Sequence, residues 1–211
     1  MFLRFFTAII AYVLIISNVS AQQWAPVGDS NLRRDVELLK IYNIIQGPVN
    51  TWPMSWRQIT SNINISIDQT YPAHIMRAIK RIRSKVPRKG LRGSATARLT
   101  NEPSLVRGFG DTARSDADLT ISAGLTEEKV EANFSVNYRN KVSFNNDNIN
   151  LDGSYIATNI GNWSLYGGAI DRWWGPGQDD TLLLSSNARP MISVGLRRLD
   201  PNTFKEKWIS W

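Results

Sequence analysis

From Gly90 onward the chain alternates apolar and polar residues with a period of two. Over residues 91–100, Leu91, Gly93, Ala95, Ala97 and Leu99 are set against Arg92, Ser94, Thr96, Arg98 and Thr100. Leu119, Ile121, Ala123 and Leu125 alternate with Asp118, Thr120 and Ser122, and Val130, Ala132, Phe134, Val136 and Tyr138 with Glu131, Asn133, Ser135, Asn137 and Arg139. Successive strand side chains point to opposite faces, so each segment presents one apolar and one polar side. Further strands are expected over 151–158, 163–172 and 191–199, with a shortened one over 205–211. Alternation alone fits a soluble sandwich as well as a membrane barrel. The links discriminate: 126–129, 159–162 and 200–203 are short, whereas 101–116, 140–150 and 173–190 are long. Strict alternation of tight turns and long loops is the habit of outer-membrane barrels. Six strands and a partial seventh cannot close such a barrel, which takes roughly eight or more. The expected fold is therefore mainly β with an N-terminal helical region, the strands forming an incomplete portion of a larger antiparallel barrel.

The residues before this sheet divide into two parts. In residues 1–21, Arg4 precedes an almost wholly apolar run over 5–16, and Val19-Ser20-Ala21 reads as a cleavage site, so an export signal is expected. Residues 22–86 read as helical, and 87–211 as barrel strands. Asp29 and Ser30 can cap a helix carrying Leu32, Val36 and Leu39, which Gly47-Pro48 should stop. Ser55 and Gln58 have capping-box spacing beside Trp52 and Trp56. Thr70 can cap a third helix, whose Ile75, Ile79, Ile82 and Val86 form one stripe. Its other face carries Arg77, Lys80, Arg81, Arg83 and Lys85, and the basic run continues through Arg88, Lys89, Arg92 and Arg98. Such a run is ordinarily a solvated face, or else a contact for an acidic partner, polymer or lipid headgroup.

Composition removes several chemistries. With no cysteine there is no disulfide, thiolate cage or cysteine nucleophile, and the single histidine, His74, rules out a multi-histidine metal site. No cofactor or metal is expected. Gly108-Phe109-Gly110 lacks the third glycine of a dinucleotide loop. Asn64 and Asn133 begin short sequons that carry little information. A charge of +7 on an exported chain without a recognition module does not suggest nucleic acid. Paired acids for glycoside hydrolysis would have to be Asp171 with Asp179 or Asp180, or Glu127 with Glu128. The glutamates sit in an expected short turn, poor for tuning a pKa. No catalytic residue is assigned.

The longest link is chemically the richest. Trp173 and Trp174 can stack on sugar rings, Gly175-Pro176-Gly177 fixes a tight turn, and Asp179, Asp180, Asn187 and Arg189 offer hydrogen bonds to hydroxyls or uronate carboxylates. A packing role remains open for the same residues: Trp173 in an aromatic girdle, and Asp179 with Arg189 pinning the loop. Leu182, Leu183 and Leu184 should pack against the barrel wall or lumen.

Two blocks resemble a known family. Val27-Gly28-Asp29, Leu32-Arg33-x-Asp35-x-x-Leu38-Leu39 and Thr51-Trp52-Pro53-Met54-Ser55-Trp56 form one. Asp171-Arg172-Trp173-Trp174-Gly175-Pro176-Gly177-Gln178-Asp179, running through Leu182-Leu183-Leu184-Ser185-Ser186-Asn187-Ala188-Arg189-Pro190, forms the other. Together they resemble the Wzi-type capsule assembly proteins, over about their N-terminal half. The resemblance implies an outer-membrane barrel with a helical bundle on its periplasmic side, acting as a non-catalytic lectin for capsular polysaccharide, with outer-membrane lipid around it. The residues alone also leave open a diffusion channel and a surface glycosidase.

Overall fold

A computed structural model of the protein describes residues 24–63, 71–104, 106–140 and 148–201. The export segment, the cap at Thr70, the sequon at Asn64 and the strand over 205–211 lie outside the described residues.

Strand β1 (Trp24–Ala25) leads into helix α1 (Ser30–Ile41). The Asp29 carboxylate accepts from the Leu32 amide at 2.9 Å, one of the donors that a helix start leaves unsatisfied. Leu32, Val36 and Leu39 are buried as their spacing requires. The helix ends earlier than Gly47-Pro48, because Asn43 adopts a left-handed conformation (φ 56°) that asparagine tolerates. Short strands β2 (Thr51–Trp52) and β3 (Met54–Ser55) precede helix α2 (Trp56–Thr60). Ser55 caps α2 through the Arg57 amide, but Gln58 does not complete a capping box. Its amide instead donates to the carbonyls of Gln46 and Pro48 at 3.0 and 2.8 Å, fastening the preceding loop. Helix α3 (Ala73–Lys85) buries Ile75, Ala78, Ile79 and Ile82. Part of its basic face is not merely solvated: Arg81 grips Asp35, with Nε 2.8 Å from the carboxylate, and Lys85 pairs with Asp29, so both tie α3 to α1.

The long strands β4 (Gly90–Leu99), β5 (Ala117–Thr126) and β6 (Val130–Asn140) form an antiparallel meander. Beyond β6 the expected strand over 151–158 is broken into β7 (Ile149–Asn150) and β8 (Tyr155–Ile160), both paired with β6. Gly153, at φ 88°, sits in the interruption. Side chains of β6 occupy its unpaired backbone: Asn133 donates to the Gly153 carbonyl at 2.9 Å and Asn137 to that of Asp152 at 2.8 Å. Strands β9 (Trp163–Gly168) and β11 (Ser193–Arg198) continue the sheet, while β10 (Trp173–Trp174), between them in sequence, leaves it to pair with β2. Among the described residues the sheet is open, running from β4 at one edge to β11 at the other.

The two faces are inverted relative to a soluble sheet. Leu91 and Leu99 are more than 80% exposed, and Ile121, Phe134, Ile156 and Leu196 lie between 56 and 62%. On the opposite face Asp118, Glu131, Ser135, Asn137 and Arg139 are buried. A sandwich would bury the apolar rows. Here they form one continuous exposed surface, far beyond what a water-soluble chain tolerates, as lipid-facing strands do. The N-terminal residues pack on the polar side: Trp24 meets Tyr166 edge-on at 5.8 Å, and Arg197 donates to the Thr51 carbonyl at 2.9 Å. The apolar core lies within this N-terminal layer, joined by Phe109 and Trp173 from two long links.

Candidate functional site

The link between β9 and β11 folds back onto the N-terminal layer. Pairing of β10 with β2 places Trp173 opposite Trp52 and Trp174 opposite Thr51. Strand alternation then separates the two indoles. Trp173 is fully buried, its ring N–H donating to the Gly177 carbonyl at 3.0 Å, whereas Trp174 is 39% exposed. Phe109 wedges edge-on between Trp52 and Trp173, with ring centroids 5.1 and 5.8 Å away. The Arg33 guanidinium lies 4.5 Å over the Phe109 ring and donates to the carbonyls of Gly175 and Pro176 and to Glu37. A helical arginine thus clamps the glycine–proline turn. Gly175 and Gly177 are needed for close approach: a Cβ on the former would collide with Thr181 and on the latter with the Asp180 carbonyl.

Gly108-Phe109-Gly110 acquires a structural purpose. The Phe109 amide donates to the Gln178 carbonyl at 2.6 Å, a Cβ on Gly108 would lie 2.8 Å from that same oxygen, and Gly110 bridges to Gly28. The 101–116 link is thereby fastened to the signature loop and to the N-terminal layer. Sequence reading missed both this role and that of Arg33. For Phe109 the available signal was the pair of glycines flanking an aromatic, and for Arg33 its place in the first block of the family resemblance.

Of the other residues expected to contact glycan, Asp179, Asp180, Asn187 and Arg189 are exposed. Asn187 accepts from the Arg107 amide at 2.6 Å. Arg189 forks onto Asp152, with Nε and Nη2 each at 3.1 Å, and Asp152 also receives Arg139 at 3.1 Å. The carboxylate that pins Arg189 is therefore Asp152 rather than Asp179. Leu182, Leu183 and Leu184 do not pack against the described wall. Leu182 is wholly exposed, and Leu184 bridges instead to Trp174. Of the acids weighed for hydrolysis, Asp171 pairs with Arg114 at 3.3 Å, and Glu128 pairs with Lys89. His74 is exposed beside Tyr42.

Below the loop, the polar face of the sheet and the segment around Trp24 and Pro53 enclose a cavity of about 360 Å³. Arginines and aspartates of the long links and strands line it. Each guanidinium nitrogen of Arg107 is engaged, Nε and Nη2 donating to Thr112 and Nη1 to the Ser186 carbonyl. Burial, and then the neighbouring Arg114, bring its guanidinium down to about 10. Burial also lowers Arg114, and raises the Asp171 carboxyl above its ordinary value against the pull of Arg114.

Comparison with known proteins matches this architecture. The model of the family described as capsule assembly protein Wzi matches residues 83–211. A Klebsiella pneumoniae protein, described as an uncharacterized 55.8 kDa protein in the cps region, is 25% identical, covering 93% of this chain and 40% of its own length. A solved Escherichia coli structure is described as Wzi, an outer membrane protein involved in group 1 capsule assembly and a carbohydrate-binding β-barrel. It superposes with a TM-score of 0.76 at 24% identity, over 89% of this chain and 42% of that one. The chain thus spans about two fifths of the length of these relatives, and its open sheet is an arc of their barrel wall.

Proposed function

The chain belongs to the Wzi capsule assembly family, and from that premise we propose that it is a non-catalytic, lectin-like protein of the outer membrane that attaches or assembles capsular polysaccharide at the cell surface. The observation that carries this reading is the inverted sheet, with apolar rows turned outward and a polar face turned towards the N-terminal layer. Residues 1–21 direct export and are removed. The helical residues to 86 sit at the periplasmic end, and the strands from 87 onward lie in lipid. The long links then start from the outer end and fold into the lumen from that side, where Arg33 and Trp52 meet them. Trp174, Asp179, Asp180, Asn187 and Arg189 are the residues offered to glycan, with Trp173 holding the loop from beneath. Packing of Trp24, Thr51 and Arg33 across the polar face disfavours an open diffusion channel. In each pair weighed for glycoside hydrolysis one carboxyl is already engaged by a cation, Asp171 by Arg114 and Glu128 by Lys89, which disfavours that chemistry.

The test is capsule retention in cells deleted for the gene and complemented with it. Complementation is expected to move polysaccharide from the medium to the cell surface without changing the total made. Equal retention with and without the protein, or shortened glycan chains in its presence, would overturn the proposal.

A further inference from the structure

Trp24, Pro53 and Ile170, which border the cavity already described, also border a second cleft, of about 270 Å³, between strands β9 and β11 and the signature loop. It is a little smaller than the roughly 300–1,000 Å³ of clefts that take drug-sized ligands, and suits a single sugar residue. Three aromatic side chains line it. Trp24 and Tyr166 meet edge-on, and Trp174, 39% exposed, joins the cleft to the loop surface. Gly195 leaves room for the Tyr166 ring, since a Cβ there would lie 2.5 Å from its hydroxyl. Rings of this kind, apolar in body and polar at one end, match the apolar faces and hydroxyls of a pyranose.

The charges add a preference. Arg172 and Arg197 line this cleft, and among the described residues no carboxylate does. Arg197 donates to the carbonyls of Pro53 and Thr51 and lies 5.0 Å over the Trp24 ring. Arg172 donates from Nη2 to the Ser193 hydroxyl at 2.5 Å and lies 6.0 Å over the Tyr166 ring. Its Nε and Nη1 have no hydrogen-bond partner among the described residues. Asp171, next to Arg172 in the chain, turns instead to Arg114. Carbonyls, a hydroxyl and ring faces engage the two guanidiniums without cancelling their charge. Two cations without a facing acid favour an anionic guest, and a guanidinium with donors to spare favours a carboxylate.

We infer that the cleft between Trp174 and Arg172 is a subsite for a uronic acid residue of the bound polysaccharide. The inference rests on the glycan-binding reading above and names the class of sugar. The carboxylate lies towards Arg172, and the sugar ring lies against Trp174.

Calorimetric titration of the detergent-solubilised full chain would use a glucuronic acid disaccharide, its glucose counterpart and intact capsular polysaccharide, with circular dichroism confirming that each variant is folded. Wild type should prefer the acidic disaccharide by about tenfold, the scale of one charge-assisted contact. Arg172→Gln should lose that preference. Arg77→Gln removes the same charge from the exposed face of α3 and should leave the preference intact. Trp174→Ala keeps both guanidiniums and should weaken the two disaccharides alike. Equal affinity of wild type for the two, or binding of neither while polysaccharide still binds, would overturn the subsite and leave the function standing. So would an unchanged preference in folded Arg172→Gln, or a preference lost in Arg77→Gln. Should Arg172→Gln fail to fold, Trp174→Ala decides, because undiminished binding of both disaccharides would overturn the subsite. Failure of wild type to bind even intact polysaccharide would overturn the function itself.

Discussion

Trp173 and Trp174 are neighbours in the chain and opposite in environment. Trp173→Ala removes a fully buried ring between Phe109 and Gly177, and the expected cost is about 3–5 kcal/mol. Thermal unfolding in detergent should show it, together with reduced membrane assembly. Trp174→Ala should cost less than about 1 kcal/mol yet release capsule into the medium. Capsule loss in the first variant alone would assign the pair to packing. Arg33 invites a conservative test. Lysine keeps the charge but cannot reach Glu37 and both carbonyls of the glycine–proline turn as a planar fork does. Arg33→Lys should therefore hasten proteolytic cutting within 177–189, and wild-type resistance would show that the clamp is dispensable. Asp171 supplies a pH dependence. Its carboxyl is raised by burial, so the folded chain holds the proton more firmly than the unfolded one. The stability from this group is full below the ordinary carboxylate range and is lost as pH rises towards the elevated value. Wild type and Asp171→Asn should melt alike near pH 3, and wild type should fall below the variant as pH approaches about 7. The opposite trend would mean that Arg114 outweighs burial.

The long strands were legible as elements because a strand's period of two is a local property of the backbone. The break between β7 and β8 was not, since it depends on Asn133 and Asn137 of the neighbouring strand occupying its backbone groups. The inverted faces make a direct prediction. Phe134 projects outward from the middle of β6, and Phe134→Arg would place a cation at bilayer depth for about 2–4 kcal/mol. Ser122→Asn, on the polar face, should be nearly neutral. Folding yields into lipid vesicles would compare them, and equal tolerance would show that the exposed apolar rows do not meet lipid. The links carry the orientation. In intact cells a cysteine replacing exposed Asp180 should react with an impermeant thiol reagent, and one replacing exposed Glu127 should not. The reverse labelling would invert the barrel.

For the molecule as a whole, the decisive feature is that nothing among the described residues joins β4 to β11. Each unpaired backbone group on such an edge is costly in a medium without water. The 211-residue chain by itself is therefore expected to run on unheated detergent gels without the compact, heat-modifiable band of a closed barrel. A heat-modifiable monomer would show that the edges find each other. The N-terminal layer cannot relieve this problem, because it covers the polar side of the sheet through Trp24, Arg57 and the Thr51 carbonyl rather than pairing with either edge.

Local pattern by itself determined the strand faces, the alternation of short and long links, the caps at Asp29 and Ser55 and the chemical richness of residues 173–190. These follow from backbone period, turn chemistry and side-chain type, which act over a few residues. Only the tertiary structure decided what that richness is for. Trp173 turned inward because β10 left the sheet to pair with β2, more than a hundred residues earlier in the chain. Arg33 became a buried clamp only once the carbonyls of Gly175 and Pro176 arrived. Phe109, flanked by glycines that had suggested only an incomplete dinucleotide loop, became the wedge between two tryptophans, and Asp152 rather than Asp179 received Arg189. Burial and pairing of polar groups are settled by which distant segments meet, and no period or spacing within one segment encodes that meeting.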